Sequence, residues 1–447
     1  MEPIDTLVCA RWVLPVEPEG RVLDDHAVAI RSGRIVAVEP AAEARLRFDA
    51  HETIERPDHV LLPGLVNAHT HAALVLQRGR AGNLPIGRWL RAAGWTHGRR
   101  AADPDFVRDG TELAIAEMLR GGITCFADMQ LWPDVVARAA SAAHVRASVG
   151  LVVAESASSW AVSADEYIDR GMHLRDEYLG DPLVTTHFAP QSMQASSDAT
   201  LARVRRLADE LDLPVAMLLH ETTLEVEQCL RDFGQRPLER LAALGLVSPQ
   251  LVAIHMTQAE DRDIDLLAGS GASIVHCPES NLRHGSGVCP VARLLGRGIR
   301  VALGTDGAAS NNDLDLLAEA RIAGLLSAGV AATPGDLVAA DLVRMATLEG
   351  ARTLGLGEAT GSLVPGKWAD LCCLNLRVAR SWPVHDVPAA VIYAASSQQI
   401  TDTWVAGRRL LAESRLTLMD ESAILERAEA WRMRLDANAD EENVDDD

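Results

Sequence analysis

Leu62-Pro63-Gly64-Leu65-Val66-Asn67-Ala68-His69-Thr70-His71 is an apolar run that starts at a Pro-Gly pair and ends on two histidines. Residues 64–71 are the first of eight such runs, each ending in polar or small residues. The others are Thr124 to Asp128, Arg146 to Val153, Leu183 to Pro190, Pro214 to Glu221, Leu251 to Met256, Ala272 to Cys277 and Arg300 to Asp306. Stretches with helical spacing lie between them: Phe106 to Leu119, closed by Gly121-Gly122, then Leu201 to Leu211, Glu225 to Leu244 and Leu314 to Leu326. Eight buried strands alternating with helices predict an α/β fold, a parallel sheet closed into a (β/α)8 TIM-like barrel.

The flanks differ from the barrel. Residues 1–57 contain two strand-like runs around the turn Ser32-Gly33, and 363–420 contain similar runs at Ala369 to Leu374 and Thr403 to Arg408. These two segments are expected to pair into one small β-sandwich domain beside a barrel spanning 58–362. Residues 421–447 are expected to form a C-terminal helix and a disordered acidic tail from Asp436.

Bulk composition narrows the class. The 447 residues suit one large barrel with an accessory domain. A formal net charge of -21 argues against nucleic acid or an anionic membrane as a partner. Seven scattered cysteines, with no C-x-x-C pair, suggest reduced thiols rather than a disulfide framework. No apolar stretch reaches the roughly 18 residues of a membrane span, and the N-terminus lacks the pattern of a signal peptide. A cytoplasmic protein is the expectation.

In such barrels chemistry sits at the C-terminal ends of the strands. Those ends carry His69, His71, Asp128, His220, Glu221, His255, His276 and Asp306, with His187 inside the fourth run. Residues i and i+2 of a strand share a face, so His69 and His71 can reach one metal ion. Asp306 is a candidate third ligand that can also take a proton from an attacking water; its competing role is a helix N-cap. Glu221 suits proton transfer to a ring nitrogen and a leaving amine, against a macrodipole-favoured helix-end acid. His255 is a candidate to polarise the nucleophile or substrate, against a satisfied core histidine. His276 is balanced between site and structure, and His187 favours a structural role.

These segments resemble the methylthioadenosine/S-adenosylhomocysteine deaminases of the amidohydrolase superfamily, relatives of the triazine and ethylammeline chlorohydrolases. Residues 63–71, 253–258, 276–281 and 303–312 carry the resemblance, and 361–367 resembles the return to the outer β domain. It implies one divalent ion, zinc or alternatively iron, held by His69, His71 and Asp306. It assigns proton shuttling to Glu221, a place beside the nucleophile to His255, a wall of the nucleoside pocket to Trp89, and a homodimer to the assembly.

Four positions depart from that pattern. Leu218 stands where the family has its fifth-strand metal histidine. Gln191 replaces a histidine that contacts ribose, Gly98 falls where a glutamate holds the ribose hydroxyls, and Gln130 replaces an aromatic residue. His220, on the same strand face as Leu218 but about 7 Å along, is the candidate substitute ligand. Gln191 keeps hydrogen-bonding capacity for the substrate. The expectation is a metal-dependent deaminase of an adenosine-type nucleoside or related aminated heterocycle; the alternative is a catalytically impaired or non-catalytic homologue with a degraded metal site.

Overall fold

The computed structural model describes residues 1–80, 103–193, 195–331 and 337–444. Eight strands form one parallel sheet in chain order: β5 (Leu65–Thr70), β6 (Ile123–Asp128), β7 (Arg146–Val153), β8 (Val184–Pro190), β9 (Val215–Leu219), β10 (Leu251–His255), β11 (Ser273–His276) and β12 (Arg300–Leu303). Each coincides with one of the eight apolar runs. β5 to β7 are buried at every position, as expected of strands covered on both faces. Asn67 and Thr305 tie β5 to the chain after β12, with the Asn67 amide donating to Thr305 Oγ1 at 2.7 Å and Thr305 N–H to Asn67 Oδ1 at 3.0 Å. Asp306 N–H also donates to His69 O at 3.1 Å, and with these bonds the barrel closes.

The strands stop earlier than their apolar runs wherever the backbone turns left-handed. β9 ends at Leu219 because His220 has φ +51°, and residues 304–306 leave β12 with Asp306 at φ +57°. The expected single helix Glu225 to Leu244 is two, Thr223–Phe233 and Pro237–Ala243. Gly234 at φ +70° ends the first and Pro237 starts the second.

A second eight-stranded sheet is built from the chain's two ends. Its order is β16-β15-β14-β13-β4-β1-β2-β3, from β1 (Glu2–Val13), β2 (Leu23–Arg31), β3 (Arg34–Pro40), β4 (Phe48–Pro63), β13 (Leu371–Asn375), β14 (Ile400–Val405), β15 (Arg408–Ala412) and β16 (Arg415–Leu416). Ser32 and Gly33 make the β2–β3 turn with φ +51° and +77°, the mirror-image geometry that hairpin twist favours. A Cβ on Gly33 would also lie 2.5 Å from Ala406 O of the neighbouring loop.

The two units share a buried ion pair. Arg146, first residue of β7, gives Asp370 hydrogen bonds of 2.8 and 3.2 Å, and both side chains are almost fully buried. This junction sits at the strand starts, away from the end carrying the histidines. The C-terminal helix runs Glu421–Val444, so the acidic segment from Asp436 continues the helix rather than breaking it. Arg432 supports the transition by pairing with Asp436 at 2.8 Å, four residues on. No helix among the described residues is long and apolar enough to cross a membrane.

Candidate metal centre

His69 lies in β5, His71 directly follows it, and Asp306 stands three residues past the end of β12; the three converge. Their ligand atoms all lie within 4.8 Å of one another. Asp306 Oδ1 is 3.7 Å from His69 Nε2 and 3.5 Å from His71 Nε2. The first distance is too long for a hydrogen bond, and the buried His69 Nε2 has no hydrogen-bond partner among the described residues. Both separations are close to the tetrahedral edge of about 3.4 Å that follows from metal–ligand bonds of about 2.0–2.2 Å. His71 Nδ1 lies 2.5 Å from Met129 O and carries the proton, so Nε2, the nitrogen facing Asp306, is the one that can ligate. Two imidazoles and a carboxylate are a donor set that zinc or ferrous iron accepts, and three protein ligands leave a position open for chemistry. The residues fit the ion.

Close packing makes this approach possible. A Cβ on Gly304 would lie 2.9 Å from His69 O and 2.8 Å from Val275 Cγ1, so any larger residue would push Asp306 away from β5. Burial opposes the charge of the Asp306 carboxyl. The imidazoles of His69, His71 and His255 nevertheless hold it well below the usual carboxylate range.

Glu221 follows β9. Although the residue keeps partial exposure, its carboxyl sits among buried neighbours, and burial, followed by the charge of Asp306, pushes it up to about 8. It therefore holds a proton at neutral pH. Glu225 reaches back one helical turn to fix this corner, accepting from the backbone N–H of His220 at 3.1 Å and of Glu221 at 2.7 Å. Thr257 Oγ donates to Glu221 O at 2.6 Å. His255 ends β10 at φ +78°; its Nδ1 is 3.0 Å from the Asn281 amide, and its ring centroid is 6.0 Å from that of His69. Burial lowers its pKa, which favours the neutral imidazole.

His220 is not brought to the triad. Its Nε2 accepts from Leu238 N–H at 3.2 Å, and its Nδ1 lies 3.3 Å from Arg236 Nη2 and 3.8 Å from Asp263 Oδ2. The left-handed backbone at His220 breaks the two-residue alternation that placed it on the face of Leu218, so the expected substitute ligand belongs to a buried Arg236–Asp263 network. Leu218 itself faces the barrel interior, packed against the cluster of Ala68, Ala216, Val252, Ile254 and Cys277. It also touches the cluster of Met129, Val152 and Trp160.

The remaining expected residues are spread around this end of the barrel. Gln191 follows β8, its backbone N–H bonded to Val153 O at 2.9 Å. Gln130 is buried with no partner for Oε1 among the described residues. His187 is buried, its Nδ1 2.9 Å from Ser148 Oγ. His276 is buried with neither ring nitrogen partnered among the described residues. Trp89 and Gly98 lie outside the described residues. Ser280, Ser310, Asn281 and Glu225 received no role from sequence reasoning; the only signal was that the first three sit inside the motif segments.

Comparisons with known proteins point to one family. The sequence pattern of the Amidohydrolase family matches residues 60–410. A 5-methylthioadenosine/S-adenosylhomocysteine deaminase of Teredinibacter turnerae is 42% identical over 97% of this chain and 98% of its own. One of Saccharophagus degradans is 40% identical over 97% and 98%. Among solved structures, an adenosine deaminase of Xanthomonas campestris with bound zinc is 47% identical with TM-score 0.95, covering 98% of this chain and 99% of that one. A zinc-bound atrazine chlorohydrolase of Arthrobacter aurescens is 26% identical with TM-score 0.86, covering 96% and 100%.

Proposed function

The chain belongs to the amidohydrolase family, and from that membership we propose that it is a metal-dependent hydrolytic deaminase acting on an adenosine-type nucleoside or a related aminated heterocycle. The observation that carries this reading is the convergence of the ligand atoms of His69, His71 and Asp306 within 4.8 Å of one another at the strand ends of the barrel. His69, His71 and Asp306 hold one divalent ion, zinc in the first instance. Bound there, the ion supplies Lewis acidity that activates a water molecule for attack on the amine-bearing ring carbon.

The protein's own groups move the protons. Asp306, ionised and beside the water's position, accepts the proton that the water loses. Glu221 donates to the ring nitrogen next to the attacked carbon, takes the proton of the new hydroxyl as the carbonyl forms and passes it to the departing amine; the proton on Asp306 then restores Glu221. His255 stays neutral and orients the water or the substrate by hydrogen bonding, with its other nitrogen against Asn281. Gln191, Glu221 and His255 contact the substrate, and Trp89 belongs to the same pocket by the resemblance. A homologue without catalysis, the alternative raised by Leu218, draws no support from the relatives or from the assembled triad.

Ammonia release from adenosine derivatives, guanine, cytosine and triazines tests the proposal. Release from an adenosine derivative or another aminated heterocycle is expected. Silence across the panel with metal-loaded protein would overturn it.

A further inference from the structure

We propose that Ser280 and Ser310 are positioning residues that clamp one oxygen of Asp306 and so dedicate the other to the metal. The inference rests on the metal reading of the triad. Ser280 comes from the helix Pro278–His284 after β11, and Ser310 from the loop after β12; both are buried. Asp306 Oδ2 accepts from Ser280 Oγ at 2.6 Å and from Ser310 Oγ at 3.0 Å. Oδ1, the oxygen facing both imidazoles, accepts from Gly307 N–H at 2.8 Å.

Each hydroxyl has a single proton and more than one acceptor within reach. Ser310 Oγ is also 2.8 Å from Gly307 O, but that carbonyl already accepts the N–H groups of Ser310 and Asn311, each at 2.9 Å. Its two lone pairs are in use, and the Ser310 proton goes to Oδ2. Ser280, 3.2 Å from Ser310 Oγ, has Oδ2 as its shorter and charged acceptor. Two donors on Oδ2 and one on Oδ1 fix the rotation of the carboxylate plane. The two hydroxyls hold Oδ2 off the ion, so Asp306 ligates through Oδ1 alone; to take the water's proton, Oδ2 gives up the longer of its two bonds, that from Ser310.

The test compares Ser280→Ala, Ser310→Ala, the double variant and Ser280→Thr with the unmodified chain. Affinity for Co2+ is measured by chelator competition, and the visible absorption of the cobalt protein reports its coordination. Weakening in the double variant of about 10- to 100-fold is expected, the usual effect of losing a partner that orients a ligand. An altered cobalt spectrum should accompany it as Oδ2 becomes free to bind, and Ser280→Thr, which keeps a hydroxyl, should restore both readouts. A folded double variant with unchanged affinity and spectrum overturns the clamp. Where the double variant fails to fold, unchanged values in both single variants overturn it equally. Failure of the unmodified chain to take up Co2+ removes the metal reading itself, and the clamp with it.

Discussion

Replacing Leu218 with histidine should tighten metal binding while weakening the metal-free fold, and both effects can be sized from its neighbours. Leu218 is half-buried between the interior cluster of Ile254 and Cys277 and the cluster of Met129 and Trp160. Full burial of a leucine is worth about 1.5–3 kcal/mol, so losing this partial burial costs about 1 kcal/mol. An imidazole there without a hydrogen-bond partner adds about 1–3 kcal/mol. Without metal, the variant should therefore be about 2–4 kcal/mol less stable. With metal the balance reverses. Structural zinc sites gain about 10–16 kcal/mol over four ligands, or about 2.5–4 kcal/mol for each. One added ligand is then worth a 100- to 1000-fold gain in affinity at about 1.4 kcal/mol per tenfold. Chelator competition reads the affinity, and thermal unfolding of the metal-free proteins reads the cost. A folded variant whose affinity stays within about twofold of the unmodified chain would refute the placement of Leu218 on the wall of the metal centre.

Three further outcomes follow from individual contacts. Glu221→Gln removes the proton donor and should lower kcat by about 100- to 10,000-fold while leaving metal content unchanged; equal kcat would remove Glu221 from the chemistry. Asp370→Ala leaves Arg146 buried and unpaired, so unfolding free energy measured by denaturant should fall by about 3–5 kcal/mol. Asp402 is buried, yet hydrogen bonds from Arg56, Thr401 and Arg409 hold its carboxyl far below the usual range. A depressed folded pKa means stability present above the unfolded value of about 4 and lost as pH falls below it. The acid-induced loss of Tm should therefore be smaller in Asp402→Asn, and an unchanged acid limb would contradict the assignment.

Much of this molecule was legible in its residues, for an identifiable reason. A barrel strand covered on both faces must be apolar along its length, so each of the eight runs announced a strand. His69-Thr70-His71 announced a shared face because strand geometry repeats every two residues. The same rule failed at His220, where one left-handed residue turned the imidazole into the Arg236–Asp263 network. Gly234 and Pro237 signalled a break in the helix expected over 225–244, but the continuing apolar period masked it. Ser280 is 26 positions from Asp306, and their contact exists only because β11 and β12 are neighbours. Local pattern carries no trace of such a pairing. Glu225 was only the start of the helical stretch expected over 225–244, and its bonds to two backbone groups depend on how the chain leaves β9.

If His69, His71 and Asp306 hold a catalytic ion, metal analysis of protein purified without chelators will find it. About one equivalent of zinc or iron per chain is expected, falling sharply in Asp306→Ala. Far less than one equivalent in the unmodified protein, with none gained on incubation with zinc or iron, would mean that the three residues hold no ion.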